Sequence, residues 1–133
     1  MSIQLSKRAE ALLAKPLLAI VAVSRRDGSV QGVPVWFEYR DALIWLNSAV
    51  GRGWPSNVLR TRQATILVID KQDDHYWAEI WATLKEATEA GAQEVIDRLA
   101  RRYTGRTFGP LPSGQKRVTL KLEPQRVYGE GID

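Results

Sequence analysis

The chain has 133 residues, 44% hydrophobic and 26% charged, with no cysteine. That composition is expected of one globular domain over 1–133, and it excludes disulfides, thiol catalysis and cysteine-based metal sites. The formal net charge is +4, too small by itself to name a partner.

No apolar run approaches the ~20 residues a membrane-spanning helix needs. The opening residues 1–10 carry no apolar core of the signal-peptide kind. A cytoplasmic location, with no membrane partner, is therefore expected. Basic residues gather late: Arg98, Arg101, Arg102, Arg106, Lys116, Arg117, Lys121 and Arg126 stand against Glu123 alone between positions 98 and 126. This stretch reads either as an attraction for nucleic acid or a small anion, or as a solvated helix face and strand edge. The only interleaved aromatics are Tyr103 and Phe108, so nucleic acid is not the expected partner.

In chain order, residues 6–15 are predicted as a helix, with Ser6 as N-cap and Ala9, Leu12 and Leu13 as its apolar stripe. Pro16 ends it. Leu17 to Ser24 is an apolar run of strand length, followed by the turn sequence Arg26-Asp27-Gly28-Ser29. Val30 to Glu38 is the second strand of that hairpin. Pro34 inside it lacks an N–H and argues for an edge, a bulge or a ligand contact. Tyr39-Arg40-Asp41 turns the chain into a third strand, Ala42 to Asn47. A loop over 48–53 leads to a short helix at about 54–61, with Pro55 as an early helical residue.

Ala64 to Asp70 is a fourth strand, and Lys71-Gln72-Asp73-Asp74 a polar turn. Tyr76 to Lys85 is a fifth, with Trp77, Glu79 and Trp81 on one face and Ala78, Ile80 and Ala82 on the other. Ala92, Val95, Ile96, Leu99, Ala100 and Tyr103 recur at spacings of three and four, the clearest amphipathic helix in the chain, predicted over 89–103. Thr88 is its expected N-cap and Gly105 its stop. A Gly/Pro loop over 107–115 follows. Arg117 to Leu122 and Arg126 to Gly129 read as two last strands separated by a turn at Pro124. Six or seven strands with short connections predict a mainly β fold with covering helices (α+β), an antiparallel barrel.

The segment 32–62 carries the chemistry. Two apolar strands are followed by Leu-Asn-Ser-Ala-Val-Gly-Arg-Gly-Trp-Pro-Ser-Asn-Val-Leu-Arg, a Gly- and Arg-bearing loop that opens a helix. Backbone N–H groups at a helix start are unpaired, and Arg52 places a fork of donors beside them. Trp36 and Phe37 on the preceding strand are placed to flank a flat ring. The segment thus predicts a ligand with an aromatic head and an anionic tail.

Each of these residues also has a plainer reading. Trp36, Trp45, Trp77 and Trp81 can be core or interface aromatics, Arg52 a solvated loop residue, and Asn57 a cap on local backbone. His75 and Asp73-Asp74 sit in a polar turn, where neither a catalytic triad nor a metal site is completed.

Asp-Gly-Ser before Pro-Val-Trp-Phe, then Leu-Asn-Ser-Ala-Val-Gly-Arg before Asn-Val-Leu-Arg, and the late helix ending Arg-Leu-Ala-Arg-Arg-Tyr-Thr-Gly follow one another in a recognisable order. In that order the chain resembles the pyridoxamine 5′-phosphate oxidase-like split β-barrel superfamily over nearly its whole length, and within it the deazaflavin-dependent reductase-like branch. The resemblance implies a homodimer that binds FMN or a deazaflavin coenzyme in grooves at the subunit interface. It also implies hydride transfer to or from a small organic substrate. The ring would lie against Pro34, Val35 and Trp36, and the phosphate side at Ser48, Arg52 and Asn57, with Asn47 and Trp54 also in the cofactor site, Trp54 stacking on a ring or sealing the groove. Trp77 and Glu79 would reach the substrate or come from the partner subunit.

The deazaflavin-binding branch carries a lysine three residues before the asparagine matched by Asn57, where this chain has Trp54. The choice between FMN and a deazaflavin therefore stays open. The alternative function is a non-catalytic flavin-, deazaflavin- or haem-binding carrier on the same barrel. No catalytic residue is assigned: Tyr103, Glu79 and bound water are equal candidates for a general acid.

Overall fold

The computed structural model of the chain describes residues 3–133. Met1 and Ser2, part of the opening stretch inspected for a leader, lie outside them. The described residues form α1 (Lys7–Leu13), β1 (Ala19–Ser24), β2 (Val30–Val35), β3 (Glu38–Arg40), β4 (Leu43–Ala49), α2 (Gly53–Thr61), β5 (Gln63–Ile69), β6 (Trp77–Thr88), α3 (Ala92–Thr104) and β7 (Arg117–Glu130). The strands make one antiparallel sheet in the order β2-β1-β5-β6-β7-β4-β3. The architecture is mainly β with three helices, as the strand pattern predicted.

Alternation along the strands decides which face is core. Val21, Ile66, Ile80, Leu120, Leu122 and Leu46 all point inward and are fully buried. Against them pack Leu12 and Leu13 of α1, Val58 of α2 and the ring of Phe37. Ser6 caps α1 as expected, its Oγ accepting from Ala9 N at 3.0 Å. A smaller cluster, Val95, Ile96 and Leu99 of α3 with Trp36 and Trp45, lies on the outward side of the sheet. The amphipathic period of α3 thus serves as a roof over β4 and β7.

Four sequence-level expectations are corrected. The predicted strand Val30 to Glu38 is two: β2 ends at Val35, Trp36 and Phe37 leave the sheet, and β3 begins at Glu38 at the opposite end of the strand order. Phe37 is fully buried in the core at the point where the backbone leaves the ladder. The following turn is Asp41-Ala42, both with positive φ (55° and 61°), as a two-residue hairpin of primed type requires.

Thr88 ends β6 instead of capping α3; Gly91, with φ 74°, occupies the N-cap position. Finally, Pro124 does not divide two strands. β7 runs unbroken over Arg117–Glu130, because Ala82 pairs with Pro124 and Trp81 with Arg126, so that Gln125 is the extra residue of a bulge. A bulge tolerates the missing proline N–H. Pro34 is accommodated differently, on the edge strand β2.

Among the described residues no helix is long and apolar enough to cross a membrane.

Candidate functional site

A cavity of about 390 Å³ opens where the end of β2, the end of β4, the start of α2 and the inner side of α3 meet, a volume in the range of small-molecule sites. One wall is apolar: Leu18, Val33, Pro34, Val35, Ile96 and Leu99. Trp36 stands at the corner of that wall. Its indole stacks on Tyr103 at 5.3 Å and 10°, and meets Phe108 edge-on at 6.4 Å. Phe37, expected to flank the same ligand, is fully buried and does not line the cavity.

The opposite corner is polar. Ser48, 5% exposed, contributes an Oγ that bonds no other described residue and lines the cavity. Arg52 precedes α2, which has no side-chain cap, and its guanidinium has no ion pair or side-chain hydrogen bond among the described residues. Arg117, the first residue of β7, faces it from the other side. The ladder sets Arg117 opposite Ala49, and its Nη1 donates to Asn47 Oδ1 at 2.9 Å. The guanidinium carbon lies 4.3 Å from the Phe108 ring centroid, and its Nε is buried without an acceptor. Burial and, second, the nearby Arg52 charge push Arg117 below its ordinary pKa, against a weaker opposing pull from Asp97.

Seven of the eight residues expected around a cofactor line this one cavity: Pro34, Val35, Trp36, Asn47, Ser48, Arg52 and Trp54. Within it Asn47 has little left to offer a ligand. Its Nδ2 donates to Ala92 O (2.9 Å) and Thr119 Oγ1 (3.1 Å), and its Oδ1 holds Arg117. Trp54 is 7% exposed and belongs to the main core as well as to the cavity wall.

Asn57 is not among the lining residues. It lies one turn farther along α2, with Nδ2 donating to Gln31 Oε1 and Oδ1 accepting from Arg60 Nη2, both at 3.3 Å. Trp77 and Glu79 stand on the uncovered face of the sheet, away from the cavity lining of the same chain. Trp77 Nε1 donates to Glu130 Oε1 at 3.0 Å, and its ring meets Tyr128 at 5.9 Å.

Sequence reasoning missed Arg117, Phe108, Leu18, Ile96 and Leu99 as lining residues. For Arg117 the missing information was the β4–β7 register, which no local pattern encodes. Tyr103, considered as a proton donor, has its hydroxyl spent: it donates to Leu17 O at 2.6 Å and accepts from Phe37 N at 3.2 Å. Burial raises its pKa above the ordinary phenol value.

The late basic residues are dispersed rather than gathered on one face. Arg98 pairs with Glu38 at 2.8 Å. Arg102 donates to the carbonyls of Leu13, Ala14, Lys15 and Phe37, closing the C-terminal end of α1. Lys121 lies over Trp45 and Arg126 over Trp81. Among the described residues no group of three His, Asp or Glu side chains is placed to hold a metal ion.

Comparison with known proteins bears on the fold. A solved F420 reductase superposes with a TM-score of 0.82 at 22% identity, covering 90% of this chain and 94% of that one. Conserved hypothetical protein Rv2991 from Mycobacterium tuberculosis gives 0.74 at 17%, covering 98% and 87%. A FAD-binding protein from Mesorhizobium loti gives 0.60 at 16%, covering 88% and 87%. At these identities the likeness is one of fold. No curated sequence matches the chain. The profile described as pyridoxamine 5′-phosphate oxidase matches residues 5–130, nearly the whole length, and the chain belongs to that family.

Proposed function

We propose that the chain is an oxidoreductase subunit that binds FMN or a deazaflavin coenzyme in the cavity between β2, β4, α2 and α3. In this reading it transfers hydride to or from a small organic substrate. The observation that carries the proposal is the cavity's polarity: an apolar, Trp36-cornered wall faces a corner holding Ser48, Arg52 and Arg117. That arrangement fits an elongated ligand with a flat ring and an anionic tail. A bound flavin-type ring would supply the hydride chemistry; the chain's residues bind it, orient it and keep water from one face.

The same reading makes the sheet a split barrel. β2 and β3 are at opposite ends of the strand order yet separated only by Trp36 and Phe37. Such a link spans at most about 10 Å, whereas the ends of a flat seven-stranded sheet lie roughly 29 Å apart. Curling the sheet brings the two ends together beside the cavity.

The reading also includes a homodimer. Pro34 on the cavity rim continues across the sheet through Ile20, Leu67 and Glu79 to Tyr128, one cross-strand row on the uncovered face. A second copy seated there would bring its own Trp77 and Glu79 towards the first copy's groove.

A carrier without turnover is the second reading, favoured by one observation. The lining residues include no carboxyl, imidazole or phenol group, so a proton would have to come from water or from the second copy. Titration of FMN and the deazaflavin coenzyme against tryptophan fluorescence tests both readings, since Trp36 and Trp54 line the cavity. Micromolar binding of one compound supports the site, and oxidation of its reduced form by a screened substrate supports the enzyme. Failure of both to bind removes the proposal.

A further inference from the structure

We infer that Asp97 is a positioning residue for the cavity: through the backbone of Phe108 and Gly109 it fixes the Phe108 ring as a side wall, against which a flat ligand ring lies. The inference rests on the cavity being the ligand site proposed above and deepens it by naming what sets the shape of its ring slot.

The loop over 105–116, between α3 and β7, buries none of its residues, so apolar packing gives it little hold. Its Leu111 and Gln115 border a separate hollow of about 280 Å³ with Gln93 and Arg117, instead of entering the core. Past Gly109 the loop turns on itself, Gln115 N donating to Pro112 O at 3.1 Å, and rejoins the sheet where Val50 N donates to Lys116 O at 2.8 Å.

At Phe108 and Gly109 the loop is gripped. Asp97 Oδ1 accepts from Phe108 N at 2.9 Å and from Gly109 N at 3.2 Å. Gln93, one turn earlier on α3, donates through Nε2 to Gly109 O at 2.8 Å and to Asp97 Oδ1 at 3.4 Å. Two successive N–H groups converging on one oxygen form a concave anion seat. Here a carboxylate of the chain itself fills it with charge-assisted bonds. Gly109, with φ 88°, adopts the left-handed conformation at that point without the cost a side chain would add.

The grip fixes a side chain that shapes the cavity. Phe108 is 45% exposed and belongs to neither apolar cluster. Its ring nevertheless meets Trp36 at 6.4 Å and 87°, and lies 4.3 Å from the Arg117 guanidinium carbon. All three residues line the cavity. Trp36 is braced by its stack on Tyr103, so one ring of this corner is held by packing and the other by Asp97. An exposed phenyl on an unburied loop has many positions open to it, and clamping the backbone at that residue removes most of them before a ligand arrives.

Asp97 also acts on Arg117 by charge, and the test separates the two effects. It compares the full wild-type chain with Asp97→Ala, Asp97→Asn, Phe108→Ala and the Asp97→Ala/Phe108→Ala double variant, each checked by circular-dichroism melting. Without ligand, amide exchange followed by NMR should quicken about tenfold at Phe108 and Gly109 in Asp97→Ala, and stay unchanged at Val95 and Leu99. The Trp36 resonance of the 5-fluorotryptophan-labelled chain, identified by its loss in Trp36→Phe, should shift as well. Asp97→Asn keeps an acceptor oxygen but not the charge, and should recover part of both signals. Wild-type exchange at Phe108 in Asp97→Ala, or an Asn variant no better than the Ala variant, overturns the inference. Phe108→Ala, at an exposed position, should move the Trp36 resonance in the same direction; an unmoved resonance overturns the inference even where Asp97→Ala fails to fold.

Lumichrome and riboflavin, which carry the tricyclic ring without a phosphate, isolate the wall from the polar corner. Phe108→Ala and Asp97→Ala should each weaken both compounds about three- to tenfold, and the double variant no further than the weaker-binding single one. Additive losses would mean that Asp97 acts otherwise than through Phe108, and overturn the inference. If neither these compounds nor FMN binds the wild-type chain, the cofactor reading fails, and the ligand-free signals alone uphold or overturn the positioning role.

Discussion

Over β3, β4 and the first half of β7 the outward surface of the sheet is roofed by α3. Over β1, β5, β6 and the second half of β7 it carries Ile20, Ile69 and Tyr128 at 38%, 46% and 70% exposure. The roofed half finishes its apolar surface within one chain and encloses a cavity at its margin. The open half keeps Trp77, Trp81, Leu67 and Tyr128 on a face that no element among the described residues covers. Large exposed apolar side chains gathered on one face, here interrupted by Glu79 and Arg126, mark a surface suited to covering by another. The contrast assigns different surroundings to similar residues: aromatics under the roof shape a pocket, and those on the open half lie on a surface left open.

The sharpest way to break the contrast is to loosen the roof. Leu99→Ala removes a side chain 1% exposed beneath α3 and is expected to cost about 2–5 kcal/mol in denaturant unfolding. A loss well under 1 kcal/mol would mean that α3 contributes little to the roofed half. Arg102→Leu strips three carbonyls at the end of α1, and that of Phe37, of their shared donor and should cost about 2–3 kcal/mol. Unchanged stability would show those bonds to be replaced by water.

At the cavity itself, Arg52→Ala should weaken a phosphate-bearing ligand by about 1.5–3 kcal/mol in a fluorescence titration, the range for a charged hydrogen bond. An unchanged affinity would move the anion site elsewhere. On the open half, Tyr128→Asp should alter the stability of the isolated chain by no more than about 0.5 kcal/mol. In the same variant light scattering should show the mass falling from two chains to one. A wild type that is already monomeric at the concentrations of the titration would remove the dimer from the proposal.

The smallest effect concerns Asp70 at the end of the open half. The Lys15 ammonium, 2.6 Å away, holds its carboxyl below the ordinary value. The native state therefore binds this proton less readily than the unfolded chain. The stabilisation is present above the ordinary carboxylate range and is lost as pH falls through the lowered pKa. Asp70→Asn should flatten the acid limb of the stability profile, and an identical slope in both proteins would dissociate Asp70 from it.

What the sequence disclosed follows the range of the interactions involved. The three-and-four spacing from Ala92 to Ala100 was readable because a helix face depends on its own residues, and the cap at Ser6 for the same reason. Pro124 misled because a proline reads as a break when the partner strand is unknown; opposite Trp81 and Ala82 it is one side of a bulge. Trp36 and Phe37 share a strand in sequence, yet one corners the cavity and the other fills the core. Only the jump from β2 to β3 separates their roles. Arg52 and Ser48, which line the same cavity, could be set side by side from the sequence because loop, charge and helix start are adjacent in the chain. Arg117, more than sixty positions away, became visible only through the ladder that sets it across from Ala49.

That ladder has a kinetic consequence. Thr119, Leu120, Lys121 and Leu122 pair on one side with β4 and on the other with β6, so four consecutive residues of β7 are flanked by ladders on both edges. Their amides are expected to exchange with solvent deuterium only through global unfolding, and to mark the slowest segment of the chain. Arg117 stands two residues upstream of this segment, at the point where the slowest-exchanging backbone gives way to the Gly/Pro loop. An exchange map should therefore place its sharpest step in protection at the Arg117 corner of the cavity, and binding of the proposed ligand should move that step towards Gly114 without changing the plateau beyond it.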